Sequence, residues 1–289
     1  MKRILTLLVA ATLAQAALAV TYNVPSQYST IQAAINAVPN NSSTVYLIQI
    51  ASGNYNQAVT IPSGKNNITL QGAGMTATRI YVGANQDALT ILGSSILVKN
   101  LTVENTAGQN AGQQQAVYTQ GKQISFNNCL IKAWQDGLQM KQGSQQYLYQ
   151  CQIQGSVDYI YDGGTAFLDH CTIVQRRISP TGPTDCAPAT PAGVRGIIFW
   201  QCTITAVSGV TANSSYLGRV WKAPGEMAYI NCTIGSHIKP AGYLSWNEGT
   251  TSRVAEYPCP STRASWCKRL TSSAGYTKSD ILGSWNPRL

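Results

Sequence analysis

Phe126-Asn-Asn-Cys129-Leu-Ile131, Leu148-Tyr-Gln-Cys151-Gln-Ile153, Leu168-Asp-His-Cys171-Thr-Ile173, Phe199-Trp-Gln-Cys202-Thr-Ile204 and Ile230-Asn-Cys232-Thr-Ile234 are five versions of one unit. Each runs from a large apolar residue through polar ones to Cys-x-Ile. Residues two apart on a strand face the same side, so each Cys and Ile pair shares one face. The cysteines are 22, 20, 31 and 30 residues apart. One short β unit every 20–30 residues is the signature of a solenoid. A β-sandwich also uses many short strands, but it does not generate five equivalent units. The expected fold is therefore all-β: a parallel β-helix in one domain, residues 20–289. Ile68-Thr-Leu70 and Leu97 to Val103 read as earlier coils without the cysteine, and the Pro/Gly-rich stretch Ser179–Gly193 reads as an inserted loop. Helical periodicity is confined to Ser29–Val38, where Ile31, Ala34, Ile35 and Val38 follow a Ser N-cap. That short helix is expected to cap the open N-terminal end of the solenoid.

The residues before the solenoid have a different character. Lys2 and Arg3 precede an apolar run from Ile4 to Leu13, and Ala17-Leu18-Ala19 offers a small-x-small cleavage pattern. Residues 1–19 thus read as a secretory signal peptide, too short for a comfortable membrane span. The expected product is secreted and extracellular, with no membrane partner. Six Asn-x-Ser/Thr sequons, at Asn40, Asn41, Asn67, Asn100, Asn213 and Asn231, would permit glycosylation. Eight cysteines in an oxidising compartment suggest some disulfides. Cys259 and Cys267 are a plausible local pair, while the ladder cysteines are expected to stay free. No CxxC pair and only two histidines are present, so no metal is expected. Twenty Lys and Arg against eleven Asp and Glu give +9, or +7 without Lys2 and Arg3. Such a surface suits an anionic partner. No nucleic-acid motif accompanies it, which leaves an acidic polysaccharide.

Two of the eleven acids share a position in the repeat. Asp136 follows Cys129 by seven residues, and Asp158 follows Cys151 by seven. If the coils stack, the backbones run about 4.8 Å apart and the carboxylates become neighbours. Trp134-Gln-Asp136 and Asp158-Tyr-Ile-Tyr161 surround them with aromatics. Two such carboxylates cannot both ionise easily, so one pKa rises while the other stays low. That division suits an acid and a nucleophile or base. The residues alone indicate a paired-carboxylate hydrolase and leave glycoside and ester open. No GxSxG elbow is present, and His170 and His237 read as structural.

Gln115-Ala-Val117, Gln135-Asp-Gly-Leu138, Val157-Asp-Tyr-Ile-Tyr161 and Leu217-Gly-Arg-Val-Trp221 resemble, in order and spacing, the four motif blocks of the pectin methylesterases. Gly53-Asn-Tyr55, Val254-Ala-Glu-Tyr257 and Ile281-Leu-Gly-Ser-Trp285 are similar to further segments of that family. The resemblance implies a single-stranded right-handed parallel β-helix that hydrolyses methyl esters of homogalacturonan without a cofactor, as a monomer. It implies Asp158 as nucleophile, Asp136 as general acid/base, and Gln135 with Gln115 as donors to the oxyanion. Arg219 would pair with and orient Asp158, Trp221 would stack on a galacturonate ring, and Tyr161 would face substrate. Arg176 and Arg177 could line the next coil beside the acids. The chain departs from the family pattern at Asn56, Gly137, Val220 and Asp162. Asp162 brings a third carboxylate near the pair, in a tight turn usually made by Gly, and a shifted pH profile is expected from it. Two other readings compete: a β-helix enzyme that cleaves galacturonan chains, and an inactive pectin-binding β-helix.

Overall fold

A computed structural model describes residues 19–177, 183–247, 251 and 253–289. The proposed signal peptide (apart from Ala19), the acid Glu248 and part of the Ser179–Gly193 stretch lie outside the described residues. Three parallel sheets of eleven, eight and seven strands wind round a common core, each coil adding a strand to each sheet in turn. The chain is a parallel β-solenoid.

The register of the largest sheet explains how the core is filled. Ile48, Leu70, Val98, Phe126, Leu148, Leu168, Phe199 and Tyr229 stand directly above one another on successive coils. All are buried. Phe199 and Tyr229 stack at 4.3 Å with nearly parallel rings. A second column, Val103, Ile131, Ile153, Ile173, Ile204 and Ile234, belongs to the eight-stranded sheet. Each contributes apolar burial worth about 2 kcal/mol, and stacking makes the face continuous. The cysteines precede these strands in register, with Leu101 in the corresponding place one coil earlier. The thiols of Cys171, Cys202 and Cys232 donate to backbone carbonyls of the preceding coil at 3.3–3.4 Å. No disulfide joins any of the eight cysteines in this structure, the expected Cys259–Cys267 pair included.

The polar residue before each ladder cysteine proves to be a corner. Asn128, Gln150, His170, Gln201 and Asn231 all have φ between 50° and 53°. The left-handed conformation turns the chain from one sheet into the next, and short polar side chains tolerate it best. His170 is such a corner, its half-exposed ring bonded to Asp169.

Two expectations need correction. The N-terminal helix spans Ile31–Ala37 and is capped by Thr30, not Ser29. Thr30 is the extended residue, and its hydroxyl accepts from the Ala33 amide at 3.0 Å. Its buried face, Ile31, Ala34 and Ile35, covers the N-terminal end of the core as expected. Within Ser179–Gly193, Thr184–Pro188 is not loop but a fully buried strand of the seven-stranded sheet, pairing with Ile160–Asp162. A second helix, Lys278–Leu282, begins at a capping box formed by Thr277 and Asp280. It packs Ile281 and Leu282 against the outside of the long sheet, beside Tyr147 and Phe167.

Candidate active site

Asp136 and Asp158 occupy another set of left-handed corners, at the entrance to the seven-stranded sheet. Their φ angles are 60° and 49°. Gln135 bridges Val157, and Leu138 pairs with Ile160, so the two aspartates stack on adjacent coils. The Asp136 amide donates to Val157 O at 3.1 Å, and the Asp158 amide donates to Thr184 O at 2.7 Å. Backbone ladders therefore fix both carboxylates. The side chains lie in a nearly closed surface, with Asp136 4% and Asp158 6% exposed.

The two carboxylates differ in their partners. Arg219, just after the strand Tyr216–Gly218, grips Asp158 with Nε at 3.2 and 3.1 Å from the two oxygens and Nη2 at 2.5 Å from Oδ2. The Thr184 hydroxyl donates to the same carboxylate. Asp136 has no such cation of its own. Burial, reinforced by the Asp158 charge, raises its pKa to about 7, while Gln135, Arg219 and Tyr161 pull the other way. The two carboxylates thus sit in unequal surroundings, one held by a cation and a hydroxyl and the other left to burial.

Around this pair lies a row of polar and aromatic groups. Gln115 Nε2 donates to the Tyr161 hydroxyl at 2.8 Å. Tyr161 meets Trp221 edge-on at 5.8 Å, and Lys222 Nζ sits over the indole at 4.7 Å. The Gln113–Gln115 run divides its tasks. Gln113 bridges Gln135 through the backbone, the Gln114 side-chain Oε1 accepts from the Asn85 amide at 2.7 Å, and Gln115 Nε2 donates to Tyr161. All seven predicted residues, Gln115, Gln135, Asp136, Asp158, Tyr161, Arg219 and Trp221, are therefore linked by coil stacking or by direct contact.

Other residues behave differently from the sequence reading. Asp162 does make the strained turn, at φ 89°, but its carboxylate is occupied. Gln139 Nε2 at 2.8 Å and Lys141 Nζ at 3.0 Å hold Oδ2, and the Gly163 amide holds Oδ1. At Gly137 a Cβ would stand 3.0 Å from the Ala133 Cβ, so a larger residue here would ask Ala133 to give by a few tenths of an ångström. Arg176 lies flat on Trp134 at 4.0 Å and donates to Ala133 O at 2.7 Å.

Three neighbours of the site escaped the sequence reading. Thr184 and Asp185 sat inside a stretch read as loop. Asp185 is fully buried in the strand after Thr184, where its Oδ1 accepts from the Tyr159 hydroxyl at 2.9 Å. Its other oxygen has no partner, and burial raises its pKa to about 7. Trp246 is 56% exposed and covers the Arg219 guanidinium at 4.1 Å. An exposed Trp carries no periodicity by which a sequence could flag it.

The pectinesterase family profile matches residues 17–269. The chain belongs to the pectinesterase family. A pectinesterase of Daucus carota is 31% identical over 89% of this chain and 91% of its own length. A probable pectinesterase/pectinesterase inhibitor of Arabidopsis thaliana is 32% identical over 76% of this chain. The chain spans about two fifths of the length of that relative and of the next two curated ones. The solved pectin methylesterase from carrot superposes with a TM-score of 0.85 at 29% identity, over 92% of this chain and 94% of that one. Among the described residues no helix is long and apolar enough to cross a membrane.

Proposed function

We propose that this chain is a secreted pectin methylesterase, hydrolysing methyl esters of homogalacturonan to methanol and demethylated pectate. What supports the reading most is the asymmetric pair: one buried aspartate gripped by Arg219 and Thr184, and one held protonated near neutrality. An Asp158 oxygen attacks the ester carbonyl, and the amides of Gln135 and Gln115 donate to the oxyanion that develops. Such donors are typically worth about 3 kcal/mol in the transition state. The carbon–methoxide bond breaks as Asp136 gives its proton to the leaving oxygen, so methanol departs and an acyl anhydride remains on Asp158. Asp136, now a carboxylate, takes a proton from water, and the hydroxide opens the anhydride. Asp158 is thereby regenerated, Asp136 is reprotonated, and the sugar keeps the new carboxylate.

Trp221, backed edge-on by the buried Tyr161, offers an apolar face on which a galacturonate ring stacks, and the exposed Trp246 adds to it on the Arg219 side. The basic surface draws an acidic polymer. Residues 1–19 act as the leader for export, and the sequons become glycosylation sites in a eukaryotic secretory route. The same chain works as a monomer and needs no cofactor.

Methanol release from highly methylated pectin, with chelator present and chain length followed in the same tubes, tests the reading. The wild type should release methanol with chains intact, and Asp136→Ala and Asp158→Ala should not. Chain shortening would favour a galacturonan-cleaving enzyme. Binding without methanol release from a folded wild type would establish the inactive pectin binder instead.

A further inference from the structure

The apolar column of the long sheet ends in a charge. Tyr229 is followed in register by Glu256, which is 2% exposed. Arg263 meets this carboxylate through Nε at 2.8 Å and Nη2 at 3.0 Å, and the Tyr243 hydroxyl adds a third bond at 3.1 Å. A buried ion pair with both partners satisfied forms the plug at the C-terminal end of the solenoid. Losing either partner would leave an uncompensated buried charge. Arg263 stands on the loop between Cys259 and Cys267, whose sulfurs lie within 4.8 Å of one another and of the Glu256 carboxylate.

We propose that Cys259 and Cys267 form a disulfide that fastens this plug, and through it the strand that presents Arg219. Three oxygen and sulfur ligands so close could suggest a metal, but both Glu256 oxygens are already taken by Arg263 and Tyr243. Two sulfurs remain, already within 4.8 Å of one another, and a disulfide needs them at about 2.0 Å. The path to the active site is short. Arg263 Nη1 donates to Pro240 O at 3.1 Å, and the Ala264 amide donates to Ala241 O at 2.9 Å. Gly242 has φ 72° and leaves no room for a Cβ beside the Arg263 side chain. The next residues pair with the Arg219 strand: Leu217 N to Gly242 O at 2.7 Å and Leu244 N to Gly218 O at 3.0 Å.

The chemistry is thiol–disulfide exchange with a disulfide oxidant such as oxidised glutathione. Cys259, less buried than Cys267, attacks first as a thiolate and expels one glutathione thiolate. The Cys267 thiolate then attacks the Cys259 sulfur and expels the second. Two protein thiols lose two electrons and two protons, and two glutathione thiols gain them.

The full chain, purified reduced and equilibrated in glutathione buffers of increasing oxidation, can be acid-quenched, alkylated while unfolded and mapped by mass. The expected result is one linked peptide pair, Cys259 with Cys267, and the six other cysteines alkylated. Both alkylated in the most oxidising buffer, or thiols retained with added zinc bound stoichiometrically, would overturn the bond. Reduction should lower Tm by roughly 5 °C and lower kcat for methanol release with KM unchanged. The Cys259→Ser/Cys267→Ser double variant should match the reduced protein and ignore reductant. A bond that forms but whose reduction moves neither Tm nor kcat would overturn the fastening role. Mapping and Tm do not depend on activity, so they stand apart from any failure of the esterase reading.

Discussion

In the proposed mechanism the proton donor must still hold its proton near neutrality, and at Asp136 burial and a neighbouring carboxylate oppose ionisation. Its pKa of about 7 fixes the direction of the pH response. Below that value Asp136 is protonated and can release methanol; above it the acid is lost. We expect kcat/KM on methylated pectin to fall about tenfold per pH unit above roughly pH 7, a slope readable by methanol assay. Asp136→Asn should flatten this limb and lower kcat at least about a hundredfold. At Asp158 the informative residue is Thr184, whose hydroxyl donates to that carboxylate. Hydrogen bonds to charged groups are worth about 1.5–3 kcal/mol. Thr184→Val is therefore expected to reduce kcat at least about tenfold with KM little changed, and Thr184→Ser to restore most of it. An equal loss in both variants would assign Thr184 to packing alone.

At the level of elements, what the sequence disclosed was whatever repeats. The Cys-x-Ile units announced the coils because a solenoid core demands the same residue at the same height in every turn. The register of Asp136 with Asp158 followed from counting along it. Corners were hidden, since Asn, Gln and His fill the left-handed positions interchangeably and spell no motif. Thr184–Pro188 was hidden for a different reason. Its coil is lengthened by the preceding segment, its Pro and Asp argue against a central strand, and only stacking on Ile160–Asp162 makes it one. That strand carries a polar group that the fold tolerates at a cost. Asp185 has a folded pKa near 7 against about 3.9 for an unfolded aspartate. The folded state therefore binds the proton more tightly. Its stabilisation is fully present below about pH 4 and is lost as pH rises to 7, by on the order of 4 kcal/mol. Asp185→Asn keeps an acceptor for Tyr159 and removes the ionisation. Its Tm should lie nearest the wild type at about pH 4 and exceed it increasingly up to pH 8, by calorimetry. A constant offset across that range would mean that Asp185 does not titrate between those limits.

Over the whole molecule, charge and shape act together. The chain carries twenty basic and eleven acidic residues, and several of the acids are consumed internally: Glu226 by Arg195 and Arg253, Glu256 by Arg263, Asp158 by Arg219, Asp162 by Lys141. These four acids engage five basic residues, and the net positive excess is carried by the remaining side chains of the solenoid. A long polyanion feels that field over many sugar units, whereas a single methyl ester feels it hardly at all. The Debye length shrinks from about 30 Å at 0.01 M salt to about 8 Å at 0.15 M. KM for partly methylated polymeric pectin should therefore rise severalfold across that range with kcat nearly constant. KM for a short, fully methylated and hence neutral oligogalacturonide should stay flat. The comparison separates steering from chemistry, because both substrates present the same ester to Asp158 and differ only in the charge beyond it. Parallel salt curves for polymer and neutral oligomer would remove the basic surface from the account of substrate capture and leave the aromatic face of Trp221 and Trp246 to supply the binding.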